Sequence, residues 1–379
     1  MRIIIYVGHH KVGSTALQVF LSQNWLALAQ AGILYPSVET SGFSRNLAEA
    51  LQTGAYKKGT TKHPPTDMNV REPHSALAYQ MIASVTKRKV PPQFQRLPSV
   101  PQMLMALRKQ VSSIQPHTMI LCSEVFANFG QVDPNLITQL VAGFPKAEIE
   151  IYCALRRPDD YLISWHGQRL KVGETLAPLN DGGLAPYYDS IHFDFRTVIE
   201  PWNNKLPKAR LILRPYNEIL KSGGSENDFM AQTSVKFPTG LKPAGRANKS
   251  LPRAGMELAR RANHDLPGNL SHAFCQYLLN GEDTLEPTPN SDVEMFGADV
   301  RAELANRFAP IHDYLSKLTN RPKFFEDIDD VVHVRPVPQT QAAADLLSQI
   351  DPRSFQNEDL RDYVKAQQRD QAPFERSSP

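Results

Sequence analysis

Four short apolar runs, at residues 2–7, 118–122, 147–155 and 209–213, are the strongest regular signals in the chain. Each is too short for a helix and continuous rather than alternating, which is the pattern of a strand buried on both faces of a parallel sheet. Between residues 14 and 31, Leu17, Phe20, Leu21, Trp25 and Leu28 recur at helical spacing, and Gly32 is a natural stop. Pro158 suits the first turn of a helix after the third run. Further helices are expected at 226–233, 252–263 and 299–319. Strands alternating with helices predict an α/β fold with a central parallel β-sheet flanked by helices. Ligands of such sheets gather at the carboxyl ends of the strands, so the chemistry is expected in the residues just after each run.

A length of 379 residues fits one large α/β domain with insertions, or two modest domains. Hydrophobic residues at 41% and charged ones at 21% exclude a wholly disordered chain. The 42 Lys and Arg against 39 Asp and Glu leave a net charge of +3, which argues against bulk nucleic-acid binding. No apolar run approaches the roughly 18 residues of a membrane span. The run at 2–7 is too short for a signal-peptide core, and Gly8-His9-His10-Lys11 stands where a cleavage site would be. Cys122, Cys153 and Cys275, an odd set with no CxxC spacing, read as buried free thiols in a reducing compartment. A soluble, cytoplasmic protein is the expectation.

Charge is unevenly spread. Residues 42–110 hold 11 Lys and Arg against 3 Asp and Glu, whereas residues 281–379 hold 11 against 19. The first stretch is also proline-rich, with Pro64, Pro65, Pro73, Pro91, Pro92, Pro98 and Pro101. It reads as a long insertion with helices near 74–86 and 99–113, either a solvated excursion or an electropositive lip for an anionic acceptor or polymer. Residues 367–379 read as a disordered tail, leaving residues 1–366 as one catalytic domain.

The junction after the first strand carries the clearest chemistry. Gly8-His9-His10-Lys11-Val12-Gly13-Ser14-Thr15 links a strand to a helix, the context in which a glycine-containing turn offers backbone N–H groups to a phosphate. It nearly matches the nucleotide loop GxxxxGK[ST], but Ser14 stands where that motif has its lysine, and Lys11 lies inside the loop. An anion with fewer phosphates than a triphosphate, held by Lys11, Ser14 and Thr15, fits better. After the third strand, Arg156 stands at the strand end and Ser164 eight residues on, in the next helix. The six residues from Pro158 span about 9 Å of helix, so Arg156 and Ser164 suit the two sides of one phosphate.

Together the two junctions resemble a known family. His10-Lys11-Val12-Gly13-Ser14-Thr15-Ala16-Leu17-Gln18 resembles the 5′-phosphosulfate loop of sulfotransferases that use 3′-phosphoadenylyl sulfate (PAPS), and the stretch from Arg156 to Ser164 is similar to their 3′-phosphate segment. Gly32-Ile33-Leu34-Tyr35-Pro36, Arg214-Pro215-Tyr216-Asn217-Glu218, Asp228-Phe229 and Asn248-Lys249-Ser250 are similar to stretches of bacterial members. Val12 departs from the usual small polar residue and Ser14 from the commoner threonine, and the glycine-rich carboxyl-terminal nucleotide segment of cytosolic members is not visible. The resemblance implies a P-loop-like sulfotransferase fold and sulfuryl transfer from PAPS without a metal, leaving adenosine 3′,5′-bisphosphate.

On that resemblance, Lys11 with the backbone N–H groups of Gly13, Ser14 and Thr15 would stabilise charge on the departing phosphate, and Val12 completes the donor-binding loop. Ser123-Glu124 follows the second strand, and Glu124 is the first candidate for general base, a role that asks for a raised pKa. His10 and His9 flank Lys11 as alternatives that need no large shift. Adjacent histidines lack metal-ligand spacing, and no metal site is expected. His166, Trp165 and Tyr161 read as structural. A nucleotide-dependent kinase with a variant loop, and a non-catalytic anion- or glycan-binding relative, stay open as alternatives. The acceptor class, a saccharide or a small alcohol, and the oligomeric state are not legible.

Overall fold

Five strands, all parallel, make the central sheet of the computed structural model, which describes residues 1–55, 68–94, 96–245, 250–281 and 285–371. They are β1 (Arg2–Tyr6), β2 (Ile33–Leu34), β3 (Thr118–Cys122), β4 (Glu148–Leu155) and β5 (Arg210–Pro215), in the order β2-β3-β1-β4-β5. The α/β fold with a central parallel sheet is therefore present as expected. Tyr6 pairs with Cys122 on one side and Tyr152 on the other. Ile3, Ile4, Ile5, Met119, Ile120 and Leu121 are all buried, so both faces of the middle strands are covered. The edge strand β2 has only two residues, too few to leave a periodic signal.

The chain divides by contacts into two compact units. The first comprises Met1–Arg157, Ser190–Ala247 and Tyr314–Phe324 and contains the sheet. The second comprises Pro158–Asp189, Asn248–Asp313 and Phe325–Pro379. It is mainly helical, with one parallel pair of two-residue strands, Val293–Glu294 and Val337–Pro338. Its interior holds Arg301, 1% exposed, whose Nε lies 2.8 Å from each Glu294 carboxylate oxygen. The helix Glu358–Gln371 takes up the first residues of the expected tail, and 372–379 lie outside the described residues. Among the described residues, no helix is long and apolar enough to cross a membrane.

Helix α1 (Ser14–Gln23) buries Leu17, Phe20 and Leu21 against the sheet, and α2 (Trp25–Gln30) buries Trp25 and Leu28. The single helix expected over 14–31 is broken at Asn24, whose side chain is engaged at both ends. Its amide nitrogen donates to the carbonyls of Phe20 and Lys242, both at 2.8 Å, and its oxygen accepts from Lys242 N at 2.8 Å.

The basic stretch also differs from its expectation. Besides α3 (Thr40–Ala55) and α4 (Met68–Arg71), it forms α5 (Pro73–Val85) and α6 (Val100–Ile114), close to the two helices expected. Yet α5 is not a solvated excursion: His74, Ser75, Ala76, Leu77, Ala78 and Met81 are all buried. Residues 56–67, with Pro64 and Pro65, lie outside the described residues.

Pairing of β1 with β4 continues past the strand end, through Val7 N to Tyr152 O (2.8 Å) and His9 N to Ala154 O (3.0 Å). At Gly8, between these bonds, a Cβ would lie 2.8 Å from Tyr6 Oη, 2.9 Å from Ala154 N and 3.0 Å from Ala154 O. Two of those atoms are backbone and cannot move aside. Gly8→Ala is therefore expected to cost about 2 kcal/mol by overpacking, read as a lower urea midpoint with an unchanged slope.

Candidate functional site

The chain leaves β1 and enters α1 through Val7 to Gly13, and this turn uses two left-handed residues, Lys11 (φ +60°) and Gly13 (φ +84°). A lysine in that region is uncommon. At Gly13 a Cβ would lie 2.0 Å from Ser225 Oγ, whose hydroxyl donates to Val12 O at 3.2 Å. The Val12 side chain is fully buried in the cluster that includes Leu17, Phe20, Leu21 and Phe229. An apolar residue is thus suited to position 12, because its side chain faces the core and only its backbone faces the turn. The first intrahelical bond of α1 is Leu17 N to Gly13 O (3.2 Å), which leaves the N–H groups of the first turn without helical acceptors. With the helix dipole, they make an anion-facing terminus, and Lys11, half-buried, stands within the same turn.

The end of β3 brings up the second component. Ser123 opens the 3₁₀ turn Glu124–Asn128, its hydroxyl accepting from Val125 N at 3.1 Å. Glu124 Oε1 lies 3.7 Å from His10 Nδ1, and Glu124 Oε2 accepts from Gln18 Nε2 at 3.2 Å. Ser14 also bonds Glu124, so the hydroxyl expected to face a phosphate turns to the carboxylate instead. Ser14 and Gln18 are one helical turn apart in α1, which places both on the face toward Glu124. That spacing was the signal available for Gln18. Burial pushes the Glu124 carboxyl up, but His10, first by hydrogen bond and then by charge, and Ser14 pull it further down. It ends below its ordinary value, the opposite of the shift a carboxylate base near neutrality requires. Glu124 thus stands as an anion beside the Nδ1 edge of the His10 ring.

His9 is 0% exposed and meets Phe195 edge-on at 4.3 Å between ring centroids. Burial, then the neighbouring His192 and His10, hold its pKa well below the usual imidazole value, so it is a neutral core residue. His192, which carried no sequence motif, lies with its ring centroid 6.4 Å from that of His10.

Arg156 stands just past the end of β4, its guanidinium 5.4 Å from the centre of the Tyr216 ring. Tyr216 in turn is the neighbour of Gly13, with its Cε2 3.9 Å from the Cβ position there. The strand ends of β1, β4 and β5 thus bring Gly13, Arg156 and Tyr216 side by side. Ser164 lies within the helix Pro158–Lys171, in the second unit. Thr15 is the second residue of α1. Of the resembling stretch at 248–250, Asn248 and Lys249 lie outside the described residues. Among the described residues no group of three or more His, Cys, Asp and Glu side chains is arranged to hold a metal ion.

No family model matches the chain. A protein of Archaeoglobus fulgidus, described as uncharacterized, is 28% identical over 154 residues, 40% of this chain and 40% of that protein. The chain's match therefore spans about two fifths of the length of that curated relative. Among solved structures, the sulfotransferase from Alicyclobacillus acidocaldarius is 16% identical, and the alignment covers 85% of this chain and 96% of that one, with a TM-score of 0.39.

The depressed carboxyl of Glu124 has a pH signature. Its share of stability is complete above the unfolded value, about 4.3, and is lost as pH falls through the lower folded value. The melting-temperature gap between wild type and Glu124→Gln is expected to hold from neutrality down to about pH 5 and to close at more acid pH. A gap unchanged at the acid end, in thermal unfolding followed by circular dichroism, would count against this account of the carboxylate.

Proposed function

We propose that the protein is a cytoplasmic sulfotransferase, moving a sulfuryl group from PAPS to a hydroxyl, or an amine, of a saccharide or small alcohol. The observation that carries this reading is the β1–α1 turn, which presents a base, a cation and a helix terminus within six residues, His10 to Thr15, with Glu124 behind the base. PAPS supplies an activated sulfuryl group on a phosphate leaving group. Lys11, Gly13, Ser14 and Thr15 bind the 5′-phosphosulfate through the lysine side chain and backbone N–H groups, and Val12 contributes only backbone. Arg156, its guanidinium over the Tyr216 ring, is assigned to the 3′-phosphate.

In the transfer, the acceptor oxygen forms a bond to sulfur while the bond from sulfur to the phosphate oxygen breaks. The acceptor proton passes to His10 Nε2, and Glu124 beside Nδ1 stabilises the imidazolium that results. The negative charge that grows on the departing phosphate oxygen falls to Lys11 and the N–H groups of the first helical turn. These groups are in place before reaction, so they stabilise that charge without reorganising. Aligning acceptor, sulfur and leaving oxygen is the positioning task shared by the turn and Arg156.

Adenosine 3′,5′-bisphosphate is expected to raise the melting temperature without Mg²⁺, and ATP with Mg²⁺ to raise it far less. The reverse order in a thermal-shift titration would favour a kinase and overturn the reading. Lys11→Ala is expected to lower transfer of radiolabelled sulfate by about 10²–10³-fold while the protein stays folded.

A further inference from the structure

The stretch 42–110 is strongly basic as a whole, yet it places an acid, Glu72, on the face toward Glu124. Glu72 is the N-cap residue of α5, and its carbonyl accepts from Ser75 N (3.1 Å) and Ala76 N (3.2 Å). Its side chain and that of Ser75 therefore share one face of the helix. Ser75 Oγ lies 2.9 Å from Ser123 Oγ, next to Glu124, and His74 Nδ1 accepts from Cys122 N at 3.1 Å, so that face looks onto the end of β3. The Glu72 and Glu124 side chains are 12% and 14% exposed. Arg71 donates to Oε1 of Glu72 alone, at 2.8 and 3.2 Å, and Oε2 has no hydrogen-bond partner among the described residues. Burial pushes the Glu72 carboxyl up, the Arg71 hydrogen bond pulls it down, and the charge of Glu124 adds to the rise.

Two buried polar atoms beside these carboxylates point to a ligand. Tyr35 follows β2, the strand next to β3, and so stands at the same carboxyl edge of the sheet. It is 2% exposed, its ring meets His74 at 4.7 Å, and its hydroxyl has no partner among the described residues. That hydroxyl feels the charges of both Glu72 and Glu124. Gln18 Oε1 is likewise buried and unpartnered, while its amide nitrogen reaches Ser75 Oγ and Glu124 Oε2, both at 3.2 Å. An unused donor and an unused acceptor thus flank a pair of carboxylates, and leaving such groups unpaired away from water is costly.

We infer that this wall is the acceptor subsite and that the acceptor carries an ammonium group near the hydroxyl that receives the sulfuryl group, as in an amino alcohol or an amino sugar. The chemistry of that step rests on the sulfuryl-transfer reading above, whereas the binding preference rests on Glu72, Glu124, Tyr35 and Gln18. The ammonium pairs with Glu72 Oε2, Tyr35 donates to the acceptor and Gln18 Oε1 accepts from it, and the hydroxyl is left for His10. A neutral polyol fills the hydrogen bonds but brings no cation to Glu72 Oε2, the oxygen that Arg71 does not reach, and an anionic acceptor is repelled by both carboxylates.

The test is equilibrium binding of glucosamine, N-acetylglucosamine and glucuronate to the full chain by saturation-transfer nuclear magnetic resonance, in the presence of adenosine 3′,5′-bisphosphate. Glucosamine is expected to bind at least about tenfold more tightly than the other two, the scale of one close ion pair. Glu72→Gln is expected to abolish that preference, and Glu72→Asp to restore part of it. The melting-temperature shift given by adenosine 3′,5′-bisphosphate should be the same in all three proteins, which certifies folding. Equal binding of the three compounds, preference for the acetylated or acidic one, or a preference that survives Glu72→Gln overturns the inference. Failure of the sulfuryl reading registers separately, as the loss of the bisphosphate shift in wild type while discrimination between the sugars persists.

Discussion

At Gly8 the backbone of the central strand runs so close to Ala154 of β4 that no Cβ fits, and at Gly13 the same exclusion is imposed by Ser225. These two close approaches set the turn between them. With both ends pressed against neighbouring chain, the backbone enters α1 through left-handed conformations at Lys11 and Gly13. The consequence is chemical. The N–H groups of the first helical turn open at the strand end, Val12 is driven into the core, and His10 and Lys11 are left at the mouth of the turn.

What holds Ser225 in place is a buried ion pair three residues further along. Arg214, within β5, donates to both oxygens of Asp228 at 3.0 and 2.7 Å, and Tyr152 of β4 donates to the same carboxylate at 2.6 Å. Burial pushes the Asp228 carboxyl up, but Arg214 and Tyr152 hold it below its ordinary value, so it stays charged. Such a pair contributes modestly to stability against an apolar alternative, yet its geometry is exacting. It pins the helix Ser225–Gln232 to two strands at once and so places Ser225 Oγ against Gly13. Arg321 adds a further tie through Glu218, which also accepts from Arg214 at 2.7 Å. The anion-facing turn is therefore supported from β4 and β5, the side away from Glu124.

Legibility of these parts in the sequence followed their physics. The strands β1, β3, β4 and β5 were plain because burial on both faces demands continuous apolar runs, and the turn was plain because its glycines have no substitute. The two residues of β2 and the break at Asn24 were not, since neither changes a hydrophobic period: one is too short, and the other depends on a bond to Lys242 far along the chain. Val12 looked like a departure from the loop it resembles until its burial supplied the reason. Side-chain direction was the hardest feature to read. Ser14 suited a phosphate by position, yet it faces Glu124, because Glu124 enters from a strand more than a hundred residues later. The inward face of α5 was hidden by counting charge over a window, in which one half-buried glutamate was outweighed by many exposed lysines and arginines.

The site consequently has two signs, and the sheet order separates them. Arg156 stands on the β4 side of β1, while Glu124 and Glu72 gather on the β3 side, with Lys11 in the turn between. His10 sits at the boundary, its Nδ1 toward Glu124. In the proposed transfer, an imidazole so placed would gain its proton beside a carboxylate, where the positive form is favoured, while the negative charge on the leaving group would fall on the opposite side, toward Arg156, Lys11 and the N–H groups. On the proposed reading, this separation across one strand lets a reacting group lie between the two signs.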